Sequence, residues 1–517
     1  QRQAVTTTEG PILVIAGAGS GKTRVITYRI AHMIYNGIHP SSILALTFTN
    51  KAAGEMKERI GKITTSQTAR YLWMGTFHSI FSRILRSEAD RLGYTHDFTI
   101  YDANDSKSLV RSIIKERQLD DKIYKPSSIA ARISDAKNNL ITSNIYYSDN
   151  TYHEFDKANK IPEFAEIYKT YSERCLRSNA MDFDDLLLNT NILFRDYPDV
   201  LAQYQQKFQY IFVDEYQDTN YAQYLIIKKL SAKHHNICVV GDDAQSIYSF
   251  RGARIENILN FKKDYPECRV FKLEQNYRST QTIVNAANGV IANNKDQLHK
   301  VVFSNNEPGE KITVIGTYTD LEEASSVASN IFDKRLANRL QWSDFAILYR
   351  TNAQSRLLEE ALRKKFIPYK IYGGLSFYER KEIKDLLSYF RLVVNKKDDE
   401  ALKRIINYPK RGIGDTTIAK ITEVAKNEQI PIWDLLQNIE KLKELFNGAT
   451  LQKLILFVSM INDLAAEVET ANAWDIATKI LERSTIKKEI GESKTPEDIS
   501  RVENIEELMN GIKVFVE

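Results

Sequence analysis

Residues 16–23 read Ala16-Gly17-Ala18-Gly19-Ser20-Gly21-Lys22-Thr23, and this stretch decides the fold. It matches a phosphate-binding loop in all but its first position, where Ala16 stands in place of Gly. The glycines let backbone N–H groups turn inward around phosphates, and the helix that follows points its positive end at them. Lys22 is placed to neutralise β/γ oxygens and Thr23 to offer its hydroxyl to Mg²⁺. The flanks agree. Residues 11–16 are a short apolar run rich in β-branched side chains, a buried strand, and residues 22–36 carry helical periodicity.

Working outward, residues 43–48, 210–213 and 237–240 are further strand-like runs, so the expected core is a parallel sheet with helices, the α/β pattern. Phe212-Val213-Asp214-Glu215 ends a strand on two carboxylates. Downstream of a phosphate loop, Asp214 is the candidate to hold Mg²⁺ through its water shell and Glu215 the candidate general base. Gln245, just past the next strand, is placed to sense the γ-phosphate. Tyr277 and Arg278, side by side, offer a ring for adenine and a candidate arginine finger. Lys22 and Asp214 are assigned to one sheet although far apart in sequence. Residues of about 80–180, polar and helical in pattern, therefore read as an inserted helical subdomain. After about 280 a second α/β region is expected, with strands at 311–318, 344–350 and 368–372. From about 380 the chain reads as helical again.

Composition bounds the function without naming it. With 517 residues, 43% hydrophobic and 27% charged, the chain reads as a soluble globular protein of several domains. No apolar run approaches the roughly 20 residues of a membrane span, and no secretory signal heads the chain, which begins abruptly at Gln1 as though residues precede it. Three scattered cysteines, Cys175, Cys238 and Cys268, imply neither a disulfide framework nor a zinc site and point to the cytoplasm. A net charge of +4 is too small to argue nucleic-acid binding, so any DNA must be held by local grooves.

Taken together, the motifs resemble the UvrD/PcrA/Rep-type helicases of superfamily 1. They occur in family order: Gln1; the loop at 16–23; Thr47-Phe48-Thr49-Asn50-Lys51-Ala52-Ala53; Gly75-Thr76-Phe77-His78; Asp214-Glu215-Tyr216-Gln217-Asp218; 241–252; 275–279; 349–356; and Arg411-Gly412-Ile413-Gly414. The resemblance covers essentially the whole chain. It implies two RecA-like P-loop NTPase domains with parallel sheets, each carrying a helical insertion. The expected division is 1–79 and 181–280 for the first domain and 80–180 for its insertion, then 281–379 for the first part of the second domain and 380–517 for an incomplete second insertion. It also implies ATP-driven 3′-to-5′ movement on single-stranded DNA, unwinding at a single-strand/duplex junction, and a role in repair or replication alongside proteins of those processes. By motif match, Gln1 contacts the adenine edge and Tyr277 stacks on the ring. Ala16, Gly17, Ala18, Gly19, Ser20, Gly21, Lys22, Thr23 and Arg24 line the nucleotide.

Movement without sequence preference needs stacking platforms and phosphate contacts. Phe48, Phe77, His78, Tyr248 and Phe250 are the candidate platforms, with Asn50 and Thr76 in the same motifs. Arg251, Arg350, Asn352 and Arg356 are the candidate phosphate contacts. Phe250 stands where the family commonly has Trp and offers less stacking area. Arg411, Gly412 and Gly414 precede a helix start, an arrangement suited to duplex phosphates. Two further family motifs, including one with a second arginine finger, do not occur in the sequence. The expectation is a chain that stops inside its second insertion and hydrolyses ATP slowly by itself. Two other readings stand beside the helicase: the motor subunit of a helicase–nuclease complex, and an ATP-switched translocase or protein displacer that does not unwind.

Overall fold

The computed structural model describes residues 1–295, 297–298, 300–373, 377–491 and 495–517. Its centre is a six-stranded parallel sheet made of β1 (Ile12–Ala16), β2 (Ile43–Thr47), β3 (Trp73–Thr76), β4 (Tyr210–Val213), β5 (Ile237–Gly241) and β6 (Arg269–Leu273), in the order β3-β2-β4-β5-β1-β6. β1, β2 and β5 are buried at every residue, as parallel strands covered on both faces must be. Alternation sorts their side chains into two cores. Leu13, Ile15, Leu44, Leu46, Val213 and Val239 point to one face, and Ile12, Val14, Ile43, Ala45, Phe212 and Val240 to the other.

Register then brings the motifs together. Leu46 lies beside Val213 and Ile15 beside Gly241, so the loops after β2, β4, β5 and β1 all leave the same edge. In an open α/β sheet the carboxyl ends of the strands are where ligands bind. α1 (Lys22–Tyr35) leaves the phosphate loop and buries Val25, Ile26, Ile30 and Met33 on the sheet. α2 (Asn50–Ile63) and α3 (Phe77–Ser87) start on capping threonines, Thr49 and Thr76, whose hydroxyls accept from Ala52 N at 3.1 Å and Ser79 N at 3.2 Å. The buried Arg29 guanidinium donates to Ala4 O at 2.8 Å and Thr8 O at 3.1 Å and ties down the segment that carries Gln1.

Between the sheet's halves, strands Thr99–Tyr101 and Ala180–Asp182 pair in parallel, and the helices between them enclose a core of Leu109, Ile113, Ile129, Ile133, Phe164 and Tyr168. Buried Lys137 lies 2.6 Å from Asp182 and 2.7 Å from Asp185. Asp182 also caps α4 (Phe183–Asp196), so this helix is fixed both by its cap and by the buried ion pair.

The chain forms two compact units, Gln1–Glu310 with Arg391–Ala466, and Lys311–Phe390 with Glu467–Glu517. The expected α/β fold with a parallel sheet is present in the first. In the second, helices Asp320–Asn338 and Ser355–Lys364 pack around Ala324, Ala328, Ala361 and Leu362. The strands expected at 311–318, 344–350 and 368–372 do not form: no ladder is present there among the described residues, and 342–344 is a single 3₁₀ turn. A parallel strand exists only through hydrogen bonds to a neighbour, and these runs form no such ladder among the described residues. Helices resume at Lys381–Val394, as expected. Among the described residues no helix is long and apolar enough to cross a membrane.

Candidate functional site

The loop between β1 and α1 turns through left-handed backbone at Gly19 (φ +66°) and Gly21 (φ +89°). At Gly19 a Cβ would fall 2.6 Å from Asn276 Nδ2 and 2.9 Å from Arg278 Cβ, so no side chain fits, and at Gly21 it would displace the Gln1 carboxamide, 2.8 Å away. Gln1 Nε2 donates to Ser20 O at 2.7 Å, and the Ser20 hydroxyl to Gly17 O at 2.7 Å. From the far side Asn276 Nδ2 donates to Ala18 O at 2.7 Å and Tyr277 N to Gly19 O at 3.0 Å. Asn276 Oδ1 accepts from the backbone of Arg278 and Ser279 at 2.8 Å each. Tyr277 and Arg278 therefore stand exposed beside the loop. Ala18 and Arg24 are exposed, and Thr23 is half-buried at the helix start.

β4 delivers the two carboxylates. Asp214 is buried, and its Oδ1 accepts from Glu215 N at 3.0 Å. Burial, and then the Glu215 charge, push its carboxyl up to about 7. Glu215 adopts left-handed backbone (φ +49°), which turns its side chain back toward Lys22, 3.7 Å from Oε2. Gln245 does not stand alone at its strand end: its Nε2 donates to Asp242 Oδ2 at 2.6 Å. Lys300 holds Asp242 at 3.0 Å and Asp243 at 2.6 Å.

Beside this pocket the same strand ends open into a cleft of about 570 Å³. Phe48, His78, Tyr248, Phe250 and Arg251 line it together with Thr76, Asp184 and Asp218. Phe77 is a core residue, 1% exposed, whose ring backs Phe48 at 5.8 Å. Phe250, 76% exposed, lies 6.0 Å from Tyr248, and the Arg251 guanidinium sits 5.4 Å from each ring centre. His78 meets Phe183 edge-on at 5.6 Å, and burial lowers its pKa. Asn50 is exposed at the start of α2. Burial, then the Glu215 charge, raise the Asp218 carboxyl to about 6.

The sequence model of the UvrD/REP helicase N-terminal domain matches residues 1–266, and that of the UvrD-like helicase C-terminal domain matches residues 271–517. The chain belongs to the UvrD-type helicases. A protein named ATP-dependent DNA helicase PcrA from Staphylococcus aureus is 46% identical over 519 residues, covering 100% of this chain and 70% of that relative. PcrA proteins of Staphylococcus epidermidis and Leuconostoc citreum are 44% and 42% identical over the whole chain, which spans 70% and 68% of their lengths.

The remaining motif residues of this UvrD-type helicase sit on two turns, one in each unit. Arg350, Asn352 and Arg356 belong to the second unit, exposed around the turn Asn352–Gln354, where Gln354 Oε1 accepts from Arg350 N at 2.9 Å. Gly412 (φ +70°) and Gly414 are exposed ahead of helix Asp415–Asn427. Arg411 is turned inward: it donates to Ile405 O at 2.9 Å and Pro409 O at 3.2 Å, with its guanidinium 5.4 Å from the Phe457 ring. Asn407 Oδ1 accepts from the backbone of Arg411 and Ile413 at 3.0 Å each, and so shapes the turn. The sequence reading missed Asn276, Gln217, Asp242, Lys300 and Asn407. The first three lie inside quoted motifs. The others carry no local signal, because their partners are distant in the chain or backbone groups.

Proposed function

We propose that this UvrD-type helicase is an ATP-dependent DNA helicase that moves 3′-to-5′ on single-stranded DNA and unwinds duplex at the junction, in DNA repair or replication. The observation that carries this is one edge of one sheet presenting both halves of a motor. β1, β4 and β5 supply the phosphate loop, the acidic pair and Gln245, while β2, β3 and the loop after β5 supply the aromatic cleft. The residues fit the nucleotide. Loop positions 19 and 21 hold left-handed backbone, the turn geometry that aims successive N–H groups into an anion cradle, and Tyr277 stands exposed beside it for adenine. The oxygen donors, Thr23 and Asp214, suit Mg²⁺, which would supply charge neutralisation between the phosphates.

The roles follow from geometry. Lys22 is engaged by Glu215. With the ammonium turned to triphosphate oxygens, the Glu215 carboxylate is released to take a proton from water. Arg278, exposed across the loop, meets charge developing on the γ-phosphoryl, and Gln245 reports its presence to Asp242. Gln1 lies against the loop at Ser20, where its carboxamide is close enough to exchange that bond for an adenine edge. In the cleft Phe48, His78, Tyr248 and Phe250 offer stacking faces and Arg251 a phosphate contact, while Arg350, Asn352 and Arg356 are the phosphate contacts offered by the second unit. The exposed turn Gly412–Gly414 offers backbone N–H groups to duplex phosphates, supported rather than joined by Arg411. We keep the division into 1–79 with 181–280, 80–180, 281–379 and 380–517 as the functional domains. A cytoplasmic location agrees with three free, buried cysteines.

The test is strand separation on duplexes with a 3′ or a 5′ tail, with ATP and Mg²⁺. Separation of the 3′-tailed duplex alone is expected. Separation of the 5′-tailed one would reverse the polarity, and ATP turnover without separation would replace the helicase by a translocase.

A further inference from the structure

One side chain joins the two halves of the site and has no role in either. Gln217 is buried, 1% exposed, two residues after Glu215. Its Nε2 donates to Glu215 Oε2 at 3.0 Å and to Asp218 Oδ2 at 3.4 Å. Its Oε1 accepts from the backbone N–H of Asp242 at 3.0 Å. These partners fix the carboxamide's orientation, because the flipped amide would set its oxygen against two carboxylates and its NH₂ against a backbone N–H. Close packing fixes its position: a Cβ at Gly241 would fall 2.6 Å from Oε1.

Asp218 stands in the wall of the aromatic cleft. Its Oδ1 is buried with no hydrogen-bond partner among the described residues. Buried carboxylate oxygens are ordinarily satisfied, so this cleft-wall carboxylate keeps an acceptor for a donor that enters the cleft, reached when its side chain turns outward. The bond to Gln217 is the longer and weaker of the carboxamide's two donations. One planar group thus lies between the carboxylate facing the cleft and the carboxylate facing the phosphate loop, and a shift toward one lengthens the contact to the other.

We infer that Gln217 is a positioning residue that couples the cleft to hydrolysis: a donor on DNA satisfies Asp218, the carboxamide closes on Glu215, and the general base is held in one orientation. The inference rests on the reading that DNA fills the cleft and ATP the loop. Orientation of a base is worth much to a rate and little to ground-state binding, so the signature lies in kcat rather than KM.

The experiment measures ATP turnover with and without saturating oligo-dT. Gln217→Glu replaces the donating NH₂ with oxygen and keeps the acceptor for Asp242. Its DNA-stimulated kcat should fall by about tenfold or more, with the ATP KM changed less than about threefold. The ratio of DNA-stimulated to DNA-free turnover should collapse toward one. Asp218→Asn, which keeps the shape and removes the charge, should lower the same ratio, and it decides the matter if Gln217→Glu does not fold. An unchanged ratio in a folded Gln217→Glu, or in Asp218→Asn, overturns the inference. So do stimulated and DNA-free rates that fall in parallel with a lowered melting temperature. If the unmodified protein turns over ATP without any response to DNA, the reading of the site itself fails, and the inference with it.

Discussion

Val14 and Val240 lie in the sheet, fully buried and laddered to each other, whereas Val314 and Leu348 of the second unit stand 91% and 95% exposed on backbone that pairs with nothing described. The four side chains are of one chemical kind. What separates them is a backbone neighbour: each sheet strand has at least one parallel partner, and segments 311–317 and 345–349 have none among the described residues. A β-branched run states a preference for a half-buried pleated surface, and pairing supplies the surface. The comparison also divides the chemistry, since the loop, the acidic pair and the aromatic cleft belong to the unit whose strands are paired.

The largest expected effect tests that division. Glu215→Gln should lower kcat by about 10²–10⁴ while ATP remains bound, because a positioned general base contributes roughly that much. Turnover and binding of a fluorescent ATP analogue are the two measurements. Near-normal turnover would mean that the base lies elsewhere and that the sheet edge merely binds.

Stability comes next. Leu44→Ala, in β2 and fully buried, should cost about 2–5 kcal/mol of unfolding free energy. Leu348→Ala should stay within about 0.5 kcal/mol, as expected for an exposed side chain. Urea unfolding of the two variants compares the regions with one chemical change. Equal losses would show that the Leu348 side chain is packed after all, and the contrast would disappear.

The sequence stated β1, β2, β4 and β5 because continuous apolar runs flanked by motif residues admit little else. It passed over β3 (Trp73–Thr76), which is short and contains Gly75, and the exposed β6 (Arg269–Leu273), whose Arg and Lys interrupt the apolar signal. The motif residues were legible since their spacing is local. The polar wiring was not: Gln217 meets Asp242, and Lys300 meets Asp242 and Asp243, only after the sheet has brought separate loops to one edge. Arg411 teaches the same lesson from the other side, because a motif arginine that looks like a phosphate contact spends its donors on the carbonyls of its own turn.

A smaller effect concerns the cleft. Phe250→Ala should weaken single-stranded DNA binding by about 1–3 kcal/mol, the range for loss of one stacking platform. Phe250→Trp should restore or exceed the original affinity through its larger face. Fluorescence anisotropy with a labelled oligonucleotide reads both, and an unaffected Phe250→Ala would remove the cleft's most exposed ring from the DNA path.

The finest contrast is between two arginines, one in each unit. Arg356 is exposed, and the proposal gives it a phosphate contact. Arg356→Ala should make the slope of log affinity against log salt less steep by about 0.7, the counterion release of one single-strand phosphate contact. Arg251 is held differently, with its guanidinium near both the Tyr248 and Phe250 rings. If those rings spend its charge on organising the platform, Arg251→Ala should weaken binding at every salt concentration and leave the slope nearly as it was. A slope change of the same size in both variants would make Arg251 an ordinary phosphate contact. The cleft would then hold the backbone as well as the bases, and the two units would contribute to DNA binding in the same way.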